Sequence, residues 1–133
     1  MGVNCLSVAM EIIDEKYFQV LLVSSGDDQS LASTDFICQI QRPNQVLLKE
    51  IQHNVSVSSA SGSALKAIYT NGKFALTAGY DQRVCLWRRE KLTWHLQSVM
   101  FSECADIAGI GFNARTQEIV VIGKGMQILL LKQ

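Results

Sequence analysis

The stretch from Lys73 to Trp87 limits what this chain can fold into more than any other. Phe74, Leu76 and Ala78 alternate with small residues, Gly79-Tyr80-Asp81-Gln82 interrupts them, and Val84, Leu86 and Trp87 resume. Period-two patterning broken by a Gly/Asp cluster predicts a β-hairpin; a helix would place its apolar residues three and four apart. Thr77, Asp81 and Trp87 stand at intervals that a hairpin can bring together. The expectation is that the Asp81 carboxylate, in the turn, approaches the Thr77 hydroxyl on one strand and the Trp87 indole N–H on the other. Burial would make those donors costly if they were left unpaired.

The unit repeats. Val20–Leu31 aligns with Phe74–Val84, so that Ser24 matches Thr77, Gly26 matches Gly79 and Asp28 matches Asp81. Glu118–Leu129 aligns with both on Gly123. The glycines lie 53 and 44 residues apart. The second interval falls within the blade period of about 40–45 residues, and the first implies an insertion near Ser56–Ser63. Gly2-Val-Asn-Cys-Leu6, Ala64-Leu-Lys-Ala-Ile68 and Asp106-Ile-Ala-Gly-Ile110 precede the hairpins, each with aliphatics spaced by a small residue, as a tightly packed inner strand needs. Inner strands are predicted over 3–10, 64–70 and 106–112, hairpins over 18–34, 73–88 and 118–132, and outer strands over 45–52 and 92–100. No helix is required. The fold expected is all-β, a WD40-like β-propeller of about three four-stranded antiparallel blades. They span about 1–55, 60–100 and 104–133, the last lacking its fourth strand. Three blades do not close a ring that takes about four to eight. The chain therefore reads as the C-terminal portion of a larger propeller, whose N-terminal remainder would cover its open edges and faces.

Other properties narrow the class. Zero formal net charge with 48% hydrophobic residues excludes a disordered segment and a broadly basic nucleic-acid binder. No apolar run approaches the roughly 20 residues of a membrane span, and the N-terminus lacks the pattern of a signal peptide. Cys5, Cys38, Cys85 and Cys104 are far apart with no nearby His cluster, so neither a metal site nor a disulfide framework is expected. Free thiols in strand patterns point to a reducing compartment, and cytoplasmic localisation is expected. His95 is predicted to face solvent on an outer strand and His53 to cap the first one; neither reads as a general base. Thr77, Asp81 and Trp87 come with no nucleophile or pocket, so no catalytic residue is assigned. Gly123-Lys124-Gly125 lacks the later glycine and the Lys-Ser/Thr ending of a phosphate loop, and is expected to be a tight turn.

Taken together, roughly residues 2–132 resemble the C-terminal blades of one WD-repeat family, the large partner subunit of the tRNA wobble-position 2′-O-methyltransferase. The likeness rests on Gly2–Leu6, Ser25-Gly-Asp-Asp-Gln-Ser-Leu31, Ala64–Ile68, Ala78–Val84, Leu86-Trp-Arg88 and Asp106-Ile-Ala108, and most specifically on Asp81–Arg88 followed by Asp106–Ala108. The resemblance implies a non-catalytic scaffold that helps hold and position tRNA for a separate methyltransferase. S-adenosylmethionine would be the cofactor of that partner, and this chain would bind none. No family site maps residue by residue onto these positions. The chain departs from the WD pattern as well. Ser61 and Glu103 stand near the place of the usual loop histidine, Thr34 matches Trp87, and Val121, Gly125 and Leu131 occupy the network positions of the third unit. A fold shared by many functions leaves a second reading, a protein–protein adaptor in ubiquitin ligation or trafficking.

One patch bears on RNA. Arg88, Arg89 and Lys91 are predicted on one rim together with Lys73 and Arg115, where cations could neutralise phosphates. Glu90, Glu118, Asp14 and Glu15 share that rim, so a solvated mixed-charge face is the competing reading.

Overall fold

A computed structural model describes residues 2–41, 44–57 and 62–131, the side chains at 52–54 excepted. Ten strands follow in order: β1 Val3–Ile12, β2 Tyr17–Gly26, β3 Leu31–Gln41, β4 Gln45–Val57, β5 Leu65–Thr70, β6 Phe74–Gly79, β7 Arg83–Glu90, β8 Thr93–Phe101, β9 Ala105–Asn113 and β10 Glu118–Leu130. There is no helix among the described residues. The strands form two antiparallel four-stranded sheets, β1-β2-β3-β4 and β5-β6-β7-β8, and a third sheet of β9 and β10.

Local sequence dictates the turns. Gln29 and Gln82 donate their backbone N–H to Gly26 O (3.2 Å) and Gly79 O (3.1 Å). Both glutamines are left-handed, at φ 62° and 61°. Asp28 Oδ1 then accepts the N–H of Ser30, and Asp81 Oδ1 that of Arg83, each at 3.1 Å. At the opposite end, Asp14, Asn71 and Asn113 each turn a side-chain oxygen back onto the N–H two residues on, at 2.7, 3.0 and 2.9 Å. Short carboxylates and amides favour this local capture, which mimics a backbone turn.

The third unit repeats the same path. Lys16 O, Lys73 O and Gln117 O accept the N–H of Ile40, Arg89 and Leu131, closing the foot of each hairpin. A straight strand through β10 would hold Gln117 and Leu131 about 46 Å apart. The 2.8 Å bond between them therefore requires β10 to double back. The reversal falls at Gly123-Lys124-Gly125, where Gly125 has φ 107°. Of the expected 118–132 hairpin, the described residues 118–131 thus double back, with strand backbone running through the bend, and 132 lies outside the described residues.

Two boundaries are corrected. The first hairpin was expected to end at residue 34 and the outer strand at 52, but β3 runs to Gln41 and β4 to Val57. Alternation continues past Thr34, with Leu31, Ser33 and Asp35 buried in phase, so pairing continues too. The long first interval is taken up partly here: β3 and β4 have 11 and 13 residues where β7 and β8 have 8 and 9. Of the expected insertion, Ser56 and Val57 belong to β4, and 58–61 lie outside the described residues.

The sheets stack face to face and fan outward. β1 lies against β5 and β5 against β9, while β4 and β8 barely meet. Leu21, Val23 and Leu31 of the first sheet pack on Ile68, Ala75, Cys85, Trp87 and Trp94 of the second. On the other side of the second sheet, Phe74, Leu76, Val84 and Leu86 pack on Ile107, Ile119, Val121 and Leu131 of the third. Each sheet thus has a leading face, turned toward the sheet before it, and a trailing face, turned toward the sheet after it.

Candidate functional site

The glycines that align the three units share one physical reason. A Cβ on Gly26, Gly79 or Gly123 would stand 2.1, 2.5 and 2.5 Å from the carbonyl oxygens of Gly2, Ala64 and Ala105. In each unit the backbone entering the inner strand passes over the end of the second strand too closely for any side chain. Asp27 N–H and Tyr80 N–H then bond to the same carbonyls, Gly2 O and Ala64 O.

Around this crossing the polar network differs from the expected one: the two strand residues meet directly. Trp87 Nε1 donates to Thr77 Oγ1 at 3.0 Å, with both residues buried. Among the described bonds, Asp81 reaches neither Thr77 nor Trp87. Its carboxylate accepts from Arg83 N–H and its own N–H donates to Ser63 Oγ at 3.1 Å. Ser63 therefore serves the turn from the preceding loop, and Ser61, expected near that place, lies outside the described residues. Burial and the Asp81 charge together hold the Cys85 thiol above its ordinary pKa, against a hydrogen bond from Thr77. In the first unit Ser24 is half-buried on the leading face, and Asp28 caps its turn with both oxygens on Ser30. The third unit substitutes packing for polarity: Val121 and Leu131 are buried in the apolar core.

A second polar layer, absent from the sequence expectations, joins the first two sheets. Arg89 reaches from the end of β7 into β3 and grips Asp35 with both terminal nitrogens, Nη1 at 3.0 Å from Oδ1 and Nη2 on Oδ2. The Asp35 side chain is 2% exposed and that of Arg89 16%. Beside them Trp94 Nε1 donates to Ser33 Oγ at 2.9 Å, both buried, and the guanidinium lies over the Trp94 ring. The sequence signal for this layer was available: a carboxylate in phase with Leu31 and Ser33 on a buried strand face demands a cation.

That pair alters the candidate RNA contacts. Arg89 is taken out of the rim and committed to Asp35. Arg88 and Lys91 stay exposed, with Arg88 Nε donating to Gln97 Oε1. Between the first two sheets the rim opens into a cleft of about 260 Å³, lined by Glu11, Gln19, Asn71, Lys73, Asp35 and Arg89 among others. Its charges balance, so it offers phosphate no net attraction. On the opposite end Tyr80 is 57% exposed beneath the Lys66 ammonium, 4.8 Å from the ring centroid.

Metal ligation has no cluster to support it among the described residues. The four cysteines are free; Cys38, Cys85 and Cys104 are buried and Cys5 half-buried. His95 is exposed, and the side chain of His53 lies outside what is described. Compared with models of known protein families and with curated proteins, the chain matches none.

Proposed function

We propose that the three sheets are consecutive blades of a WD-type β-propeller, acting as a non-catalytic scaffold subunit. In this reading it helps position tRNA for 2′-O-ribose methylation of the anticodon wobble nucleotide by a partner methyltransferase, which carries the S-adenosylmethionine, in the cytoplasm. The observation that supports it best is the recurrent crossing at Gly26, Gly79 and Gly123 together with the Trp87–Thr77 bond. The run Asp81–Arg88, on which the family resemblance chiefly rests, occupies that turn and strand. The fan of the sheets fits a propeller, whose blades converge on a channel.

The RNA contacts of this reading are Arg88 and Lys91. Two lost phosphate contacts should weaken tRNA binding uniformly across sequences and lower the salt slope by about two. The deciding measurement is wobble-nucleotide 2′-O-methylation, by mass spectrometry of tRNA from cells lacking the gene. Intact methylation in the absence of a second gene copy would end the proposal. The adaptor reading draws on the exposed Tyr80 and its cation, suited to a peptide. Ligase or coat components co-purifying without tRNA would favour it.

A further inference from the structure

We propose that Asn71 is a site of self-modification: its side chain closes on the backbone nitrogen of Gly72, loses ammonia, and ends as a carboxylate at the cleft between the first two sheets. The inference does not depend on the blade reading. It starts from a turn that the chain builds three times. Between β1 and β2, Asp14 Oδ1 accepts the N–H groups of Lys16 and Tyr17 at 2.7 and 3.0 Å. Between β5 and β6, Asn71 Oδ1 accepts those of Lys73 and Phe74 at 3.0 and 3.2 Å. Between β9 and β10, Asn113 Oδ1 accepts that of Arg115 at 2.9 Å. Of these three turns only the second has glycine as its next residue, Gly72 at φ 95°.

A backbone nitrogen reaches the side-chain amide before it most readily when its own residue carries no side chain, and glycine also turns freely enough to close the ring. The turn sets up both partners. Asn71 Oδ1, the oxygen that takes the negative charge when Cγ is attacked, already rests on two backbone N–H groups, the arrangement of an oxyanion hole. The attacking nitrogen is the next backbone nitrogen, with its N–H held by Thr70 Oγ1 at 3.1 Å. Asn71 and Lys73 are exposed and Gly72 half-buried, so water reaches the site. The Gly72 N–Asn71 Cγ bond forms and the Cγ–Nδ2 bond breaks. The proton lost from Gly72 N leaves on Nδ2, as ammonia. Water then opens the five-membered imide: at Cγ it gives an ordinary aspartate, and at the backbone carbonyl an isoaspartate with one extra carbon in the main chain.

The fold accepts the first product, since Asp14 caps the matching turn of the first sheet with a carboxylate. The second lengthens the turn that sets β5 against β6 and loosens it. Either product adds a negative charge to a cleft where Glu11 and Asp35 now balance Lys73 and Arg89. The modification is therefore a slow, irreversible charge change on that rim.

The test ages the whole folded chain in mildly alkaline buffer at body temperature, with circular dichroism as the folding control. Trypsin then releases Ala67–Lys73, in which Asn71 is the single asparagine. That peptide should become heavier, by the exchange of NH for O, at least about tenfold faster than the peptide carrying Asn113, a barrier difference of about 1.4 kcal/mol. On ion exchange the aged chain should gain acidic species, one of them running with Asn71→Asp. That variant should melt with the parent, and the isoaspartate form below it. Gly72→Ala, whose Cβ would stand an ordinary 3.7 Å from Ala9 Cβ, should slow the reaction to the rate at Asn113. Should its positive φ prevent folding, the comparison of Asn71 with Asn113 in the unaltered chain still decides. Three results would overturn the proposal: Asn71 unchanged in the folded chain, Asn71 modified only in urea, or Asn113 modified as fast.

Discussion

Cutting the Asp35–Arg89 pair should destabilise the chain far more than replacing it. Arg89→Met leaves a carboxylate that is 2% exposed with no cation. Breaking a buried pair in this way costs about 3–5 kcal/mol, and the cleft beside Arg89 places this case near 3. For a chain of this length that is a fall in melting temperature of about 10 °C, out of a total stability of about 5–15 kcal/mol. Asp35→Leu alone strands the guanidinium, whose Nε is already buried without a partner, and should cost a similar amount. The double variant removes both desolvation penalties. Because well-packed apolar replacements of buried pairs are often neutral or better, it should cost no more than either single change. Urea unfolding of all four proteins gives the coupling energy, expected at about 3 kcal/mol. Additive single effects, or singles below about 1 kcal/mol, would show that the pair is a solvated surface contact and refute the argument from burial.

Thr77→Val is nearly isosteric but leaves the Trp87 indole N–H buried without its acceptor, at a cost of about 1–3 kcal/mol; Thr77→Ser should recover most of it in the same urea titration. Gly79→Ala forces a Cβ to within 2.5 Å of Ala64 O and should cost about 1–3 kcal/mol, whereas Gly109→Ala, with open space around it, should leave the unfolding midpoint within about 0.5 kcal/mol of the parent. Hydrogen bonds hold two turn carboxylates below their ordinary pKa: Asp27 chiefly through the Asn4 side chain, and Asp28 chiefly through the Ser30 hydroxyl. A depressed folded pKa gives stability that is full above the unfolded value of about 3.9 and is lost as pH falls through the folded one. Asp28→Asn should therefore lose less stability than the parent between pH 5 and pH 2, measured by urea midpoints.

Much of the fold was legible because strands and turns are written in local chemistry. Alternation placed the inner, middle and outer strands, and Gly26, Gly79 and Gly123 marked the crossings, since only glycine lets one backbone pass that close to another. Spacing within a single hairpin singled out Thr77 and Trp87 as polar partners, but expected Asp81 to join them, whereas they bond directly. Other features were set by partners distant in sequence. Asp81 turns to Ser63 and Arg83 because the preceding loop brings a hydroxyl to it, and no spacing within the hairpin encodes that approach. Arg89 looked like a rim cation until the first sheet, 54 residues away, presented Asp35 to it. Residue pattern determines which positions of a strand are buried. Stacking one sheet on the next decides which buried charge meets which, because that depends on register and fan angle between elements that share no local sequence.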